Sequence, residues 1–118
     1  MGAEGADCAP VDLRELRAEI GNPRVVRKVL KSYNAYLAEQ ARQLSEAFLV
    51  GNVAEVRRIA HAIRGGAAVL HAHPLISIAD SFEHNAVPHP GTEVDDLLRT
   101  LEKTVETTLL AIRESALE

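Results

Sequence analysis

Apolar residues recur along this chain at i, i+3, i+4 and i+7, the spacing of helices that bury one face. The clearest run is Val26, Val29, Leu30, Tyr33, Leu37, Ala41, Leu44 and Phe48. A second, Leu97, Leu98, Leu101, Val105, Leu109 and Ile112, lies towards the C terminus, and a third, Val56, Ile59, Ile63 and Leu70, stands between them. Capping residues divide these runs. Asp12 is a good N-cap and Gly21 a good stop, which predicts a short helix from Asp12 to Ile20. Asn22 before Pro23 opens a long helix that Gly51 ends, because a cap followed by proline suits the first turn. Asn52 caps the next helix, which runs to about Leu70 or Ala72, and Pro74 opens a shorter one that ends near Asn85. VPHPGT, residues 87 to 92, reads as a loop, and a final helix begins near Glu93. Nothing reads as strand. Four amphipathic helices with short connections predict an all-α, antiparallel up-down-up-down four-helix bundle preceded by a short extra helix.

The chemistry concentrates in AHAIRGGAAVL, residues 60 to 70. At about 100° per residue, with His61 as zero, Val56, Ile59, Ile63 and Leu70 fall on the far side of the helix. His61 therefore faces away from the core. Arg57, Arg58 and Arg64 flank it, and the small residues Ala54, Gly65 and Ala68 lie above and below it. A neutral imidazole is a competent nucleophile near neutral pH, since its ordinary pKa is about 6.5. A transferred phosphoryl group mainly needs positioning and charge stabilisation, which a nearby arginine supplies. A glycine inside a helix costs roughly 0.5–1 kcal/mol, and here two stand together. Gly66 falls near the core side, where close packing accounts for it; Gly65 falls on the histidine side, where a missing side chain leaves room for another protein to approach.

These residues resemble the histidine phosphotransfer (HPt) domains of multistep two-component phosphorelays, and the likeness covers nearly the whole chain. The family pattern A-H-x-L-K-G-S-A-x-x-L-G-A, followed by a leucine and then Leu-Glu on the next helix, stands here as AHAIRGGAAVLHAHPL and Phe82-Glu83. The resemblance implies His61 as phosphoacceptor, Arg64 in place of the family's lysine as the residue that stabilises phosphoryl charge, and Gly65 as the glycine that admits the partner. It also implies a short first helix packed across one end of the bundle. Glu83 falls where the family carries Glu or Gln that orients the imidazole through Nδ1; as a plain sequence feature it reads equally as a solvent-facing glutamate. Three departures stand out. Arg64 widens a compact ammonium into a fork, Gly66 removes a serine hydroxyl, and His71 replaces a glycine at the helix end. The implied partners are receiver domains of a hybrid sensor histidine kinase, of a response regulator, or of both. They dock over Arg57, Arg58, Gly65 and Ala68 and bring the magnesium themselves, so the chain is expected to need no cofactor of its own.

Composition narrows the remaining choices. The 118 residues carry 13 Lys and Arg against 17 Asp and Glu, a net charge of −4, which argues against nucleic-acid or anionic-membrane partners. Only two Tyr, two Phe and no Trp are present, so the core must be aliphatic. The length suits one domain over residues 1–118 with residues 1–10 as a flexible leader, burying roughly 65% of the unfolded surface. Cys8 is the single cysteine, leaving no disulfide framework. No signal peptide or membrane-length apolar run is visible, and the expected location is cytoplasmic. The chain lacks G-x-x-x-x-G-K-[ST] and G-x-G-x-x-G, so it is read as a transfer intermediate with no ATP site rather than a kinase.

Three rival readings stay open on sequence alone. His71, His73, His84 and His89 raise a histidine metal site, but their spacing is not that of a structural zinc site and Glu-x-x-His pairs are missing; no metal is expected. A sensor-kinase dimerisation helix pair also exposes a phosphorylated histidine, yet an acidic residue typically follows it there, and Ala62 follows here. A bundle that docks receivers without phosphotransfer keeps the same surface and makes His61 dispensable.

Overall fold

The computed structural model describes residues 9–85 and 92–117. Five helices follow one another: α1 (Leu13–Ile20), α2 (Pro23–Leu49), α3 (Val53–Val69), α4 (His73–Asn85) and α5 (Thr92–Leu117). The first three start where their capping residues place them. Asp12 accepts from the Glu15 N–H, Asn22 from those of Arg24 and Val25, and Asn52 from that of Glu55. Each such cap satisfies backbone donors that have no partner inside the helix. The leader through Cys8, most of the 87–92 loop and His89 lie outside the described residues.

α2 packs on α3, α3 on α4, α4 on α5 and α5 back on α2, a closed ring of neighbours that makes a four-helix bundle. α1 lies against α2 at one end. There the Asp12 N–H donates to the His71 carbonyl at 2.9 Å, tying the start of α1 to the α3–α4 turn, while Val11 and Leu16 are buried. The aliphatic stripes meet in the middle: Leu30, Leu37 and Leu44 from α2, Val56, Ile59 and Ile63 from α3, and Leu101, Val105 and Ile112 from α5. Phe82 of α4 is fully buried and meets Phe48 edge to face at 6.3 Å between ring centres. Val29, Tyr33, Ala41 and Phe48 of the α2 stripe, with Leu97, Leu98 and Leu109 of α5, line the border of this core.

Both ends of the α3 hairpins use one device. In the α2–α3 turn Gly51 has φ +74°, its N–H reaches the Phe48 carbonyl, and the Asn52 N–H reaches that of Ala47. In the α3–α4 turn His71 takes the equivalent place with φ +55°, its N–H reaching Ala68 and the Ala72 N–H reaching Ala67. This pair of bonds is the Schellman closure, which wants a left-handed residue and usually takes glycine. His71 thus adopts a conformation that disfavours side chains by roughly 1–2 kcal/mol.

Candidate functional site

α3 and α4 form the most extensive helix pair in the bundle, with small buried residues on both sides: Ala60 and Ala67 on α3, Ala79 on α4 and Ala72 in the turn just before it. Small side chains let two helices approach closely. Phe82, anchored in the core, sets the rotation of α4 and turns the next residue, Glu83, towards the exposed face of α3. There it meets His61. The imidazole Nδ1 lies 2.7 Å from Glu83 Oε2, in the middle of α3, with the His61 side chain 68% exposed and that of Glu83 only 16%.

Arg64, one turn on, closes the group. Its Nε donates to Glu83 Oε1 at 3.1 Å and its Nη2 to Oε2 at 3.2 Å, a fork across the carboxylate. Nη2 also stands 3.2 Å from His61 Nδ1. A guanidinium has donors only and an ionised carboxylate acceptors only, so Nδ1 can satisfy one of the two; the 2.7 Å contact with Glu83 against 3.2 Å with Arg64 favours the tautomer with the proton on Nδ1, donated to the carboxylate. In the neutral ring with that tautomer the lone pair lies on the other nitrogen, Nε2, which faces away from the carboxylate. The hydrogen bond from His61, with the Arg64 charge beside it, holds the Glu83 carboxyl below the usual carboxylate range. A carboxylate depressed in this way adds stability that is complete above its unfolded pKa, about 4.3, and is lost as pH falls through the lower folded value.

The remaining residues of the sequence-derived face are all exposed: Ala54, Arg57, Arg58, Gly65 and Ala68. Arg58 Nε is paired with Glu55, one turn back on the same helix. Around Gly65 the space is open: beyond the adjoining backbone of its own helix, nothing among the described residues lies within 4 Å of where a Cβ would stand. Gly66 is the reverse. A Cβ there would meet Tyr33 2.6 Å from Cζ and closer still to Oη and Cε2. The two adjacent glycines therefore have different causes.

Tyr33 was legible only as a member of the α2 stripe; its ring in fact lies over Gly66, with the hydroxyl donating to the Ile63 carbonyl at 3.4 Å. Burial pushes its pKa up to about 12, so it stays a neutral donor. This explains why a serine, common at position 66 in the resembling pattern, is missing: the tyrosine fills its place. Gly66→Ala is expected to destabilise the fold by about 1–3 kcal/mol, even though alanine is the better helix former. In a Tyr33→Ala background the same change should cost far less, a coupling that denaturant melts of the four proteins measure. Equal costs in both backgrounds would separate Tyr33 from the glycine.

The sequence profile of the Hpt domain family matches residues 28–114, a span that holds α3, α4, His61, Arg64 and Glu83. The chain belongs to the Hpt domain family. Histidine phosphotransfer in a phosphorelay is the function of such a domain, and Hpt domains in general interact with receiver domains. No curated protein and no solved structure gives a significant match to this Hpt domain. Among its described residues no helix is long and apolar enough to cross a membrane.

Proposed function

We propose that this Hpt domain relays a phosphoryl group between receiver-domain aspartates through His61. The observation that carries the proposal is the 2.7 Å contact of His61 Nδ1 with Glu83, which leaves Nε2 as the exposed nucleophile on a helix face of small and basic residues. Nε2 attacks phosphorus of the aspartyl phosphate, the P–O bond to the receiver's carboxylate breaks, and an N–P bond forms. The Nδ1 proton remains on the ring, held by Glu83, whose charge offsets the imidazolium character that develops. Attack by a second receiver's aspartate reverses the step and returns neutral His61. Arg64, fixed by two bonds to Glu83, keeps Nη1 without a partner among the described residues and offers it to the phosphoryl oxygens. Magnesium and the acidic pocket come with the receiver. Arg57 and Arg58 add positive charge to the docking face, and Gly65 and Ala68 keep it low.

Incubation with a receiver phosphorylated on its aspartate, with magnesium, tests this directly. An acid-labile, base-stable phosphate should appear on the chain and map to His61 by fragmentation mass spectrometry. Label on His71, His73, His84 or His89 instead overturns the assignment.

The supporting residues separate by substitution. Arg64→Ala should slow transfer or shorten the phosphohistidine lifetime several-fold, while Arg64→Lys, which restores the family's residue, stays near the parent rate. Glu83→Ala should lower transfer modestly and redistribute the His61 ring proton between Nδ1 and Nε2, read from long-range ¹H–¹⁵N spectra. Unchanged ring shifts in that variant would reduce Glu83 to a packing partner of Arg64.

A further inference from the structure

The corner where α1 meets the α3–α4 turn gathers two histidines and two glutamates from two separate parts of the chain. Glu15 and Glu19 lie one turn apart on α1; His71 and His73 flank Ala72 at the start of α4. His71 Nδ1 is 3.0 Å from Glu15 Oε2, and its Nε2 is 3.2 Å from Glu19 Oε2. The His73 ring centre is 6.3 Å from that of His71, and one ligand atom each from Glu15, His71 and His73 fall within 4.8 Å of one another. We propose that this corner is a binding site for a divalent transition metal of the zinc class, with Glu15, His71 and His73 as ligands and Glu19 as the carboxylate that orients His71.

Three features carry the proposal beyond a chance meeting of charges. The donor set is two imidazoles and a carboxylate, the nitrogen and oxygen ligands that zinc accepts in sites that keep a fourth position for water. Bonds of about 2.0–2.1 Å put tetrahedral ligand atoms roughly 3.3 Å apart, so the 3.0 Å between Glu15 Oε2 and His71 Nδ1 already suits two ligands of one ion. His71 also has the second partner that metal-bound histidines need. With Nδ1 facing the ion, Nε2–H donates to Glu19, the arrangement that fixes tautomer and ring plane in carboxylate–histidine–metal triads.

The backbone supports the same reading. His71 stands where Gly51 stands in the other turn, yet its side chain is held at 17% exposure and its carbonyl takes the Asp12 N–H. Left-handed geometry at a side-chain-bearing residue persists only when its surroundings compensate it. Metal coordination joins α1 to the turn that its own backbone bond already reaches. Loading should therefore raise the melting temperature by mass action. Sequence spacing could not show this site, because residues 71 and 73 lack a third ligand until α1 supplies Glu15.

Calorimetric titration of Zn²⁺ into the metal-free chain tests it, in a Cys8→Ser background so that the thiol does not compete. One ion per chain should bind. His73→Ala and Glu15→Gln, both at exposed positions, should each weaken binding at least tenfold, and Glu19→Gln by about 10–100-fold, as loss of an orienting partner does. His84→Ala, which removes a ligand from the separate Asp80, Glu83 and His84 group, should leave the affinity unchanged. Zn²⁺ should shift His71 Nδ1 and leave the His61 ring unmoved in ¹⁵N spectra, so the outcome does not depend on the phosphoacceptor assignment. Absent binding, binding that survives His73→Ala, or binding that follows His84 instead overturns the proposal and leaves the corner an ion-pair cluster.

Discussion

His61→Gln is expected to abolish phosphoryl transfer while leaving the bundle folded. The side chain is mostly exposed and no core residue rests on it, so the stability change should stay within about 0.5 kcal/mol, the range of ordinary surface substitutions. Glutamine also keeps a donor for Glu83 through its amide, and Arg64 still neutralises that carboxylate. What disappears is the imidazole that Glu83 and Arg64 hold on the α3 face; His84, the other imidazole near Glu83, sits on α4 with its Nδ1 turned to Asp80. Circular dichroism and thermal melts should match the parent, and label from a phosphorylated receiver should fall below detection. Transfer at the parent level would show that another residue carries the phosphate.

A second large effect belongs to Gly65, and it separates docking from chemistry. The position lies one turn beyond His61 and is exposed, and a Cβ there has open space around it, so Gly65→Gln can be seated without displacing a packed group. Its helix propensity is better than glycine's by about 0.5–1 kcal/mol, and stability should hold or rise. The new side chain stands where a receiver's active-site loops must come to reach Nε2. Receiver binding and transfer should fall together, at least tenfold, while phosphoramidate, which needs no protein docking, still phosphorylates His61. Unimpaired transfer from the receiver would place docking on another face. The contrast with Gly66 sharpens the test. Substitution there should lower stability through Tyr33, whereas substitution at Gly65 should impair recognition with no loss of stability.

The element boundaries were readable because capping is local chemistry. Asp12, Asn22 and Asn52 bond to backbone groups two or three residues away, and Gly51 closes its turn within a few residues, so the linear pattern carries the whole cause. The outward direction of His61 was readable for the same reason: helical geometry converts spacing into angle without reference to any other element. The identity of its neighbours was only half readable. Arg64 lies three residues away and had to be close, whereas Glu83 is 22 residues away on another helix and read equally as solvent-facing. Resemblance to the Hpt pattern singled it out.

Sequence by itself thus determined five helices, the apolar stripe of each, and one imidazole on a cationic face of small residues. Tertiary structure decided the contacts between helices: Glu83 on His61 and Arg64, Tyr33 over Gly66, and α1 glutamates around His71. Periodicity determines which side of a helix is buried, but not its height or rotation against its neighbour. Those are settled by packing, here by the close approach of α3 and α4 along their alanines and by the anchoring of Phe82 in the core. A shift of one turn, about 5.4 Å, would carry Glu83 out of reach of His61 while leaving the apolar pattern of both helices intact.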